Sequence, residues 1–139
     1  MKLLDTSIFI YAQGGPHAYR EPCLSLVSKL TNTSSDYVID VELLQEILHV
    51  YGVRGELPLA LRTFDRLLTL FPQPMAIGRE EMVVARNLLE RHQGLSSRDA
   101  IHAALVLFHE LEGIVTTDRA FGQIPGVVAY DPRELASGG

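Results

Sequence analysis

Four carboxylates stand beside apolar, core-forming residues at four separate places in the chain. Asp5 and Asp118 follow apolar runs that are typical of buried strands, whereas Glu46 and Asp99 lie inside apolar stretches that are typical of helices. A carboxylate in apolar surroundings is unfavourable unless it accepts hydrogen bonds or binds a cation. We therefore expect the four side chains to share one pocket.

A divalent metal ion would make such a pocket favourable. Two bare carboxylates about 4 Å apart repel each other by roughly 4 kcal/mol at an effective dielectric of about 20. Mg²⁺ or Mn²⁺, which prefer oxygen ligands, would turn this repulsion into attraction. The chemistry that uses one or two such ions is hydrolysis of a phosphodiester bond by metal-activated water.

Each acid also has a purely structural interpretation. A single strand-end aspartate such as Asp5 is commonly a turn or cap residue, and Asp99 would also oppose a helix dipole. Glu46 could pair with Arg54 or lie on a polar helix face. The spacing of the acids does not by itself separate a nuclease from a phosphatase.

Three further polar residues lie close to these acids in the sequence. Arg98 and Arg119 flank two of the acids and are candidates for phosphate contacts, although surface salt bridges explain them equally well. His102 stands three residues after Asp99 on a predicted helix, where it could contact phosphate or support Asp99. The alternative for His102 is a partly buried histidine that is satisfied by its neighbours.

Strands and helices alternate along the chain and would position the acids. Leu3-Leu4 and Ile8-Phe9-Ile10 flank an Asp-Thr-Ser turn and predict a short buried strand that ends near Asp5. Further strands are predicted over residues 37–39, 114–116 and 126–130, a loop over 31–35, and helices over about 19–30, 41–51, 59–70, 80–91 and 98–111. The alternation implies one α/β domain over residues 1–134 with a parallel sheet, followed by a disordered tail at 135–139. Functional groups of such sheets collect beyond the carboxyl ends of the strands.

The composition excludes several other classes of protein. Cys23 is the only cysteine among 139 residues, which excludes an internal disulfide framework and a thiolate-rich zinc site. No apolar stretch is long enough for a signal peptide or a membrane span, so we expect a cytoplasmic protein without membrane contact. The net charge of −5 argues against a basic nucleic-acid-binding surface, but carboxylates gathered around a metal contribute to the same sum.

Four motifs in order resemble those of PIN-domain proteins, in particular the VapC-type toxin ribonucleases. They are MKLLDTSIFI at residues 1–10, DVELLQE at 40–46, SSRDAIHAA at 96–104 and IVTTDRAF at 114–121. Residues 124–132 also resemble the close of VapC-type chains. The resemblance implies a PIN-like three-layer α/β/α fold around a central, mostly parallel sheet of about five strands.

The same resemblance implies a function and a set of site residues. The activity would be that of an Mg²⁺- or Mn²⁺-dependent endoribonuclease, the toxin of a toxin–antitoxin pair, with RNA as substrate. Its partners would be a cognate antitoxin and a second copy of the chain in a homodimer. The metal ligands would be Asp5, Glu46, Asp99 and Asp118, supported by the hydroxyls of Thr6 or Ser7 and of Thr116. Whether Glu42, one helical turn before Glu46, also takes part stays open.

Other functions fit parts of the pattern. A catalytically weak PIN-like module that binds RNA or protein would share the fold, but loss of an acid is its expected signature and none is missing. A small metal-dependent phosphatase of the haloacid-dehalogenase kind needs a second acid two residues after the first, and position 7 is serine. A receiver-like signalling domain would need paired acids after the first strand, which the sequence lacks.

Overall fold

The computed structural model of the chain describes residues 1–137. Its strands and helices are, in chain order, β1 (Lys2–Leu4), α1 (Thr6–Gln13), α2 (Arg20–Thr33), a 3-10 helix (Ser34–Asp36), β2 (Tyr37–Val38), α3 (Val41–Val53), α4 (Leu57–Leu70), α5 (Arg79–Arg91), α6 (Ser97–Phe108), β3 (Gly113–Val115), a second 3-10 helix (Arg119–Gln123), β4 (Ala129–Tyr130) and α7 (Pro132–Ser137). Within these residues no helix is long and apolar enough to span a bilayer.

The strands form one parallel sheet in the order β2-β1-β3-β4. The central strands β1 and β3 pair in a register that places Leu4 opposite Val115. The backbone N–H of Asp5 then donates to the Val115 carbonyl at 2.9 Å, so the two strands end side by side. This register brings the residues that follow β1 and β3 to the same point on the sheet edge.

Helices cover both faces of the sheet. Successive strand residues point to opposite faces, and Leu3 and Leu4 accordingly belong to two different cores. Leu4 packs with buried side chains of α1 to α4, whereas Leu3 packs with those of α5 and α6. Burial on both faces explains why the strands read as continuous apolar runs. This arrangement confirms the predicted three-layer α/β/α fold class.

The predicted number of strands is wrong, because the described residues form a sheet of four strands and not five. Beyond the end of β2, Asp40 and Met75 make a single isolated parallel bridge in place of a further strand. Pro72 and Pro74 precede this bridge and have no backbone N–H. The segment therefore cannot extend its pairing into a ladder.

Helix α1, which begins directly after Asp5, is not predicted by the sequence pattern. Its buried side chains include Ile8 and Phe9, and Ile10 is half-buried, so its apolar residues do not keep to one narrow stripe. Without a polar face the helix lacks the 3.6-residue period that reveals amphipathic helices. The predicted loop at 31–35 is also partly helical, because α2 continues to Thr33, whose hydroxyl donates to the Lys29 carbonyl at 2.9 Å.

The end of the chain differs from the prediction in two respects. The last strand is confined to Ala129–Tyr130, because Gly126 adopts a φ of 88° that does not occur in strands. The expected disordered tail at 135–139 instead begins as part of helix α7, and Leu135 packs against the core beneath α1 to α4. Residues 138–139 lie outside the described part of the chain.

Candidate active site

The four carboxylates line one cavity at the edge of the sheet where the strands end. The cavity has a volume of about 430 Å³, and its walls include Asp5, Glu46, Asp99 and Asp118. Asp5 follows β1, Glu46 lies in α3, Asp99 lies in the first turn of α6 and Asp118 follows β3. Because β1 and β3 are neighbours, Asp5 and Asp118 come from adjacent strand ends. The fold thus brings together all four acids.

Asp5 is buried and held by hydroxyl groups. Its Oδ2 accepts hydrogen bonds from Ser7 Oγ at 2.9 Å and from Thr116 Oγ1 at 2.7 Å. Burial raises the pKa of Asp5, an effect that His102 and the two hydroxyls oppose. The same threonine contacts the loop after β3, because the backbone N–H of Asp118 donates to Thr116 Oγ1 at 3.0 Å. The hydroxyls of Ser7 and Thr116 therefore fix Asp5 and connect it to the loop that carries Asp118.

A fully buried histidine links two acids of helix α3. His102 Nδ1 lies 2.7 Å from Asp40 Oδ2, and its Nε2 lies 2.7 Å from Glu46 Oε1 and 3.8 Å from Asp5 Oδ1. Burial lowers the pKa of His102, but Asp40, Glu46 and Asp5 together raise it well above its ordinary value. Only the imidazolium can donate from both nitrogens. We therefore describe the group as a carboxylate–imidazolium–carboxylate bridge.

Helix caps place Asp40 and Asp99. Asp40 is the N-cap of α3, where its Oδ1 accepts from the Leu43 N–H at 2.9 Å. Ser96 caps α6 in the same way by accepting from the Asp99 N–H at 3.1 Å. These caps begin both helices at the sheet edge. The first turn of α6 thereby places Asp99 in the cavity wall.

Asp99 and Asp118 differ in exposure. Burial and the nearby charge of Asp5 raise the pKa of Asp99 to about 6, with a smaller contribution from Asp118. Asp118 is exposed, and its Oδ1 accepts from the Ala120 N–H at 2.9 Å at the start of the second 3-10 helix. The raised pKa of Asp99 thus reflects first its burial and then the neighbouring carboxylates.

Comparison with known proteins identifies the family to which this fold belongs. The family model of the PIN domain matches residues 2–127. The chain belongs to the PIN-domain family.

Relatives of this PIN domain cover nearly the whole chain. It is 31% identical over 127 residues to Ribonuclease VapC13 of Mycobacterium tuberculosis, a match that covers 91% of this chain and 97% of the relative. It is 28% identical over 138 residues to Ribonuclease VapC7 of the same organism, with coverages of 95% and 92%. These likenesses confirm the resemblance to VapC-type PIN domains.

Two solved structures share the fold at low sequence identity. The FitAcB structure from Neisseria gonorrhoeae matches with a TM-score of 0.72 at 18% identity, and a toxin–antitoxin complex from Klebsiella pneumoniae matches with a TM-score of 0.66 at 21% identity. Each match covers 95% of this chain and 98% of the other chain. They support the assignment of the PIN fold.

The carboxylate oxygens of the cavity are ligands that suit a hard divalent cation, although the side chains of the cavity wall do not converge on one point. Oxygen atoms of four carboxylates are the ligands that Mg²⁺ and Mn²⁺ prefer. Among residues 1–137, however, no three His, Cys, Asp or Glu side chains are arranged to hold a metal ion. Glu46 Oε1 faces His102, and Asp118 Oδ1 accepts from a backbone N–H. A bound ion would therefore contact Glu46 and Asp118 through their other carboxylate oxygens or displace these partners.

The hydroxyls predicted to support the acids all lie at the site. Ser7 and Thr116 hold Asp5, and Thr6 lines the cavity. Thr6 Oγ1 is buried and has no hydrogen-bond partner within the described part of the chain. A buried hydroxyl without a partner is unfavourable, and Thr6 Oγ1 is such a donor beside the cavity.

The two arginines that flank acids in the sequence lie outside the cavity wall, whereas Arg54 lines it. Arg98 is exposed and is not among the described residues that line the cavity. Arg119 lines a neighbouring cavity instead, with an 80% exposed side chain whose Nη2 lies 3.7 Å from Asp131 Oδ2. Glu42 does not line the cavity in the described residues either, so the acid that α3 contributes to the wall is Glu46.

Some residues of the site are not predicted by sequence reasoning. His102 supports Glu46 rather than Asp99 or a phosphate, and Asp40 is its second partner as well as a cap. Tyr11 and Thr117 also line the cavity. The IVTTDRAF motif at residues 114–121 could have indicated Thr117, which stands directly before Asp118. No sequence signal connects Tyr11 with the acids.

Proposed function

We propose that this PIN domain is an Mg²⁺- or Mn²⁺-dependent endoribonuclease that acts in the cytoplasm as the toxin of a toxin–antitoxin pair. The proposal rests on Asp5, Glu46, Asp99 and Asp118, which line one cavity beside the ends of the central strands. The relatives named as ribonucleases support RNA as the substrate. The solved toxin–antitoxin complex of the same fold supports an antitoxin as the partner.

In this proposal the four carboxylates hold the metal. When bound, the ion supplies activation of water and charge stabilisation at the phosphate. A cation beside Asp99 would favour its ionised form and lower the pKa from about 6. Ser7 and Thr116 keep Asp5 in place, and Thr6 Oγ1 donates to an oxygen of the substrate or of water.

A covalent route through the protein is disfavoured. Cys23 is the only cysteine, and it is buried in α2. Burial, with a smaller contribution from Asp131, raises the pKa of its thiol to about 12. A thiol with such a pKa supplies almost no nucleophilic thiolate at neutral pH. Water is therefore the proposed nucleophile.

The direct test is cleavage of a total-RNA or tRNA pool by purified protein with Mg²⁺, with Mn²⁺ and with EDTA. We expect discrete fragments that require the metal and disappear in Asp5→Asn. Absence of cutting by folded, antitoxin-free protein would favour the alternative of a PIN-like module that only binds RNA or protein. Cutting that persists in Asp5→Asn would point to a contaminating nuclease.

The proposed antitoxin and homodimer contacts require apolar surface outside the cavity. Helix α4 exposes Leu57, Leu61 and Leu68. For the homodimer we expect light scattering of purified protein to give twice the 15.4 kDa mass of one chain. A monomer at all concentrations tested would exclude the homodimer without affecting the proposed activity.

A further inference from the structure

A buried histidine stands between two of the acids that are proposed to hold the metal. His102, in α6, donates from Nε2 to Glu46 Oε1 at 2.7 Å, and the same nitrogen lies 3.8 Å from Asp5 Oδ1. Glu46 comes from α3 and Asp5 follows β1, so one nitrogen connects acids from two separate elements. His102 is fully buried and is not among the described residues that line the cavity. The ring therefore contacts these acids from behind the cavity wall.

Asp40 fixes the direction in which the imidazole points. Its Oδ2 accepts from His102 Nδ1 at 2.7 Å, while its Oδ1 accepts from the Leu43 N–H at 2.9 Å. Both oxygens of this fully buried carboxylate are engaged, so it cannot turn without losing either the helix cap or the ring. The start of α3 therefore orients the imidazole toward Glu46, which lies further along the same helix.

Glu46 depends on this contact more than Asp5 does. The Asp5 carboxylate accepts hydrogen bonds from the hydroxyls of Ser7 and Thr116. For Glu46 the hydrogen bond within residues 1–137 comes from His102. A glutamate side chain has several rotatable bonds and loses much rotamer freedom when it is fixed. Because His102 already fixes the side chain, less of this entropy remains to be lost when an ion binds.

Stability alone does not account for a histidine at this position. The neighbours of His102 on α6, which include Ala103, Ala104 and Leu105, are buried in the core on one face of the sheet. A well-packed apolar side chain often stabilises such a core at least as much as a buried ion pair does. An apolar side chain would, however, leave Glu46 without its hydrogen-bond donor. This difference points to a role of the ring in holding Glu46.

We propose that His102 is a positioning residue of the metal site, which holds Glu46 beside Asp5 through Oε1 and leaves Oε2 as the oxygen available to the ion. This inference rests on the proposed metal-dependent function and adds to it a residue that touches neither the ion nor the substrate. Asp40 acts through His102, because it fixes the ring.

Two substitutions of His102 separate its two hydrogen bonds. The amide of asparagine lies near the position of Nδ1 and can donate to Asp40, but its side chain is too short to reach Glu46. The amide of glutamine extends toward the position of Nε2 and can donate to Glu46, but it leaves Asp40 without its partner. His102→Asn therefore removes the contact to the proposed metal ligand, and His102→Gln keeps it.

A purely structural role and a positioning role give opposite orders for these variants. Asp40 is fully buried, whereas the Glu46 side chain is 12% exposed, so His102→Gln should lower the urea midpoint more than His102→Asn does. Affinity for Mn²⁺, measured by calorimetry, should instead fall about tenfold or more in His102→Asn and less than about threefold in His102→Gln. Stability and metal affinity are thus expected to rank the two variants in opposite order.

The same two substitutions are also made together with Asp40→Asn, which keeps the comparison valid if a single variant does not fold. The amide that replaces Asp40 still offers an oxygen to the Leu43 N–H and leaves no buried carboxylate without a partner at this position. Here too, His102→Gln should bind Mn²⁺ more tightly than His102→Asn. His109→Asn is the matched control, because it removes an exposed histidine at the end of α6 and should leave the affinity unchanged.

Equal affinity of the two His102 variants for Mn²⁺, or tighter binding by His102→Asn than by His102→Gln, would overturn the inference. In that event, binding of Mn²⁺ by the wild-type protein would leave the proposed metal centre and ribonuclease function standing. Wild-type protein that binds no Mn²⁺ would overturn both proposals.

Discussion

Replacement of His102 by alanine tests the buried bridge between Asp40 and Glu46. The imidazolium is fully buried, and each of its nitrogens lies 2.7 Å from a carboxylate oxygen. Asp40 is also fully buried and would lose its imidazolium partner, whereas Glu46 retains some access to water with a side chain 12% exposed. Removal of one partner from a buried ion pair costs about 3–5 kcal/mol. We expect His102→Ala to lower the free energy of unfolding by about 4 kcal/mol, mainly through Asp40.

The measurement is urea denaturation at pH 7, monitored by circular dichroism. His109→Ala is the matched control, since His109 is exposed and should change stability by less than about 0.5 kcal/mol. Adding Asp40→Asn to His102→Ala replaces the buried carboxylate that has lost its partner by a neutral amide and should restore part of the lost stability. A loss below about 1 kcal/mol in His102→Ala, or no recovery in the double variant, would refute the description of this group as a buried ion pair.

Three further predictions follow from single residues. The pKa of Asp99 is about 6 in the folded protein against 3.8 for an unperturbed group, so the folded protein binds this proton more tightly than the unfolded chain does. The contribution of Asp99 to the free energy of unfolding therefore decreases as the pH rises from about 4 to about 6. Denaturation curves across this pH range should show a smaller loss of stability for Asp99→Asn than for the wild-type protein. An equal loss in both proteins would contradict the raised pKa of Asp99. Gly113→Ala should destabilise the fold by about 1–3 kcal/mol, because a Cβ there would lie 2.3 Å from the Val128 carbonyl oxygen; an unchanged melting temperature would refute this close approach of β3 and β4. Native Cys23, buried and with a pKa near 12, should resist iodoacetamide until the protein unfolds, and rapid modification of native protein would contradict its burial.

Local chemistry accounts for much of the fold that could be predicted from the sequence. Asp40 and Ser96 begin their helices by accepting a backbone N–H three residues later, which is a purely local interaction. Apolar runs mark the central strands because both faces of the sheet are covered. The acids Asp5 and Asp118 could be placed together because carboxyl ends of parallel strands meet at one edge.

The remaining features depend on contacts that no local pattern encodes. The sequence pattern allows His102 either to support Asp99 or to be a buried histidine that its neighbours satisfy. The structure shows the second, but no local pattern reveals the partners, which lie 62 and 56 residues away in sequence. Helix α1 is not predicted from the sequence because it is apolar on several sides and lacks an amphipathic pattern.

Binding of Mn²⁺ to the purified protein, measured by electron paramagnetic resonance or calorimetry, tests the central claim most directly. Asp5→Asn and Glu46→Gln remove acids of the cavity wall, while Glu42→Gln removes an acid one turn earlier on the same helix that does not line the described wall. The account predicts that the wild-type protein binds Mn²⁺, that the first two variants lose at least about tenfold in affinity, and that Glu42→Gln stays close to wild type. Wild-type protein that binds no Mn²⁺, or equal affinity in all four proteins, would contradict a metal centre built from these carboxylates.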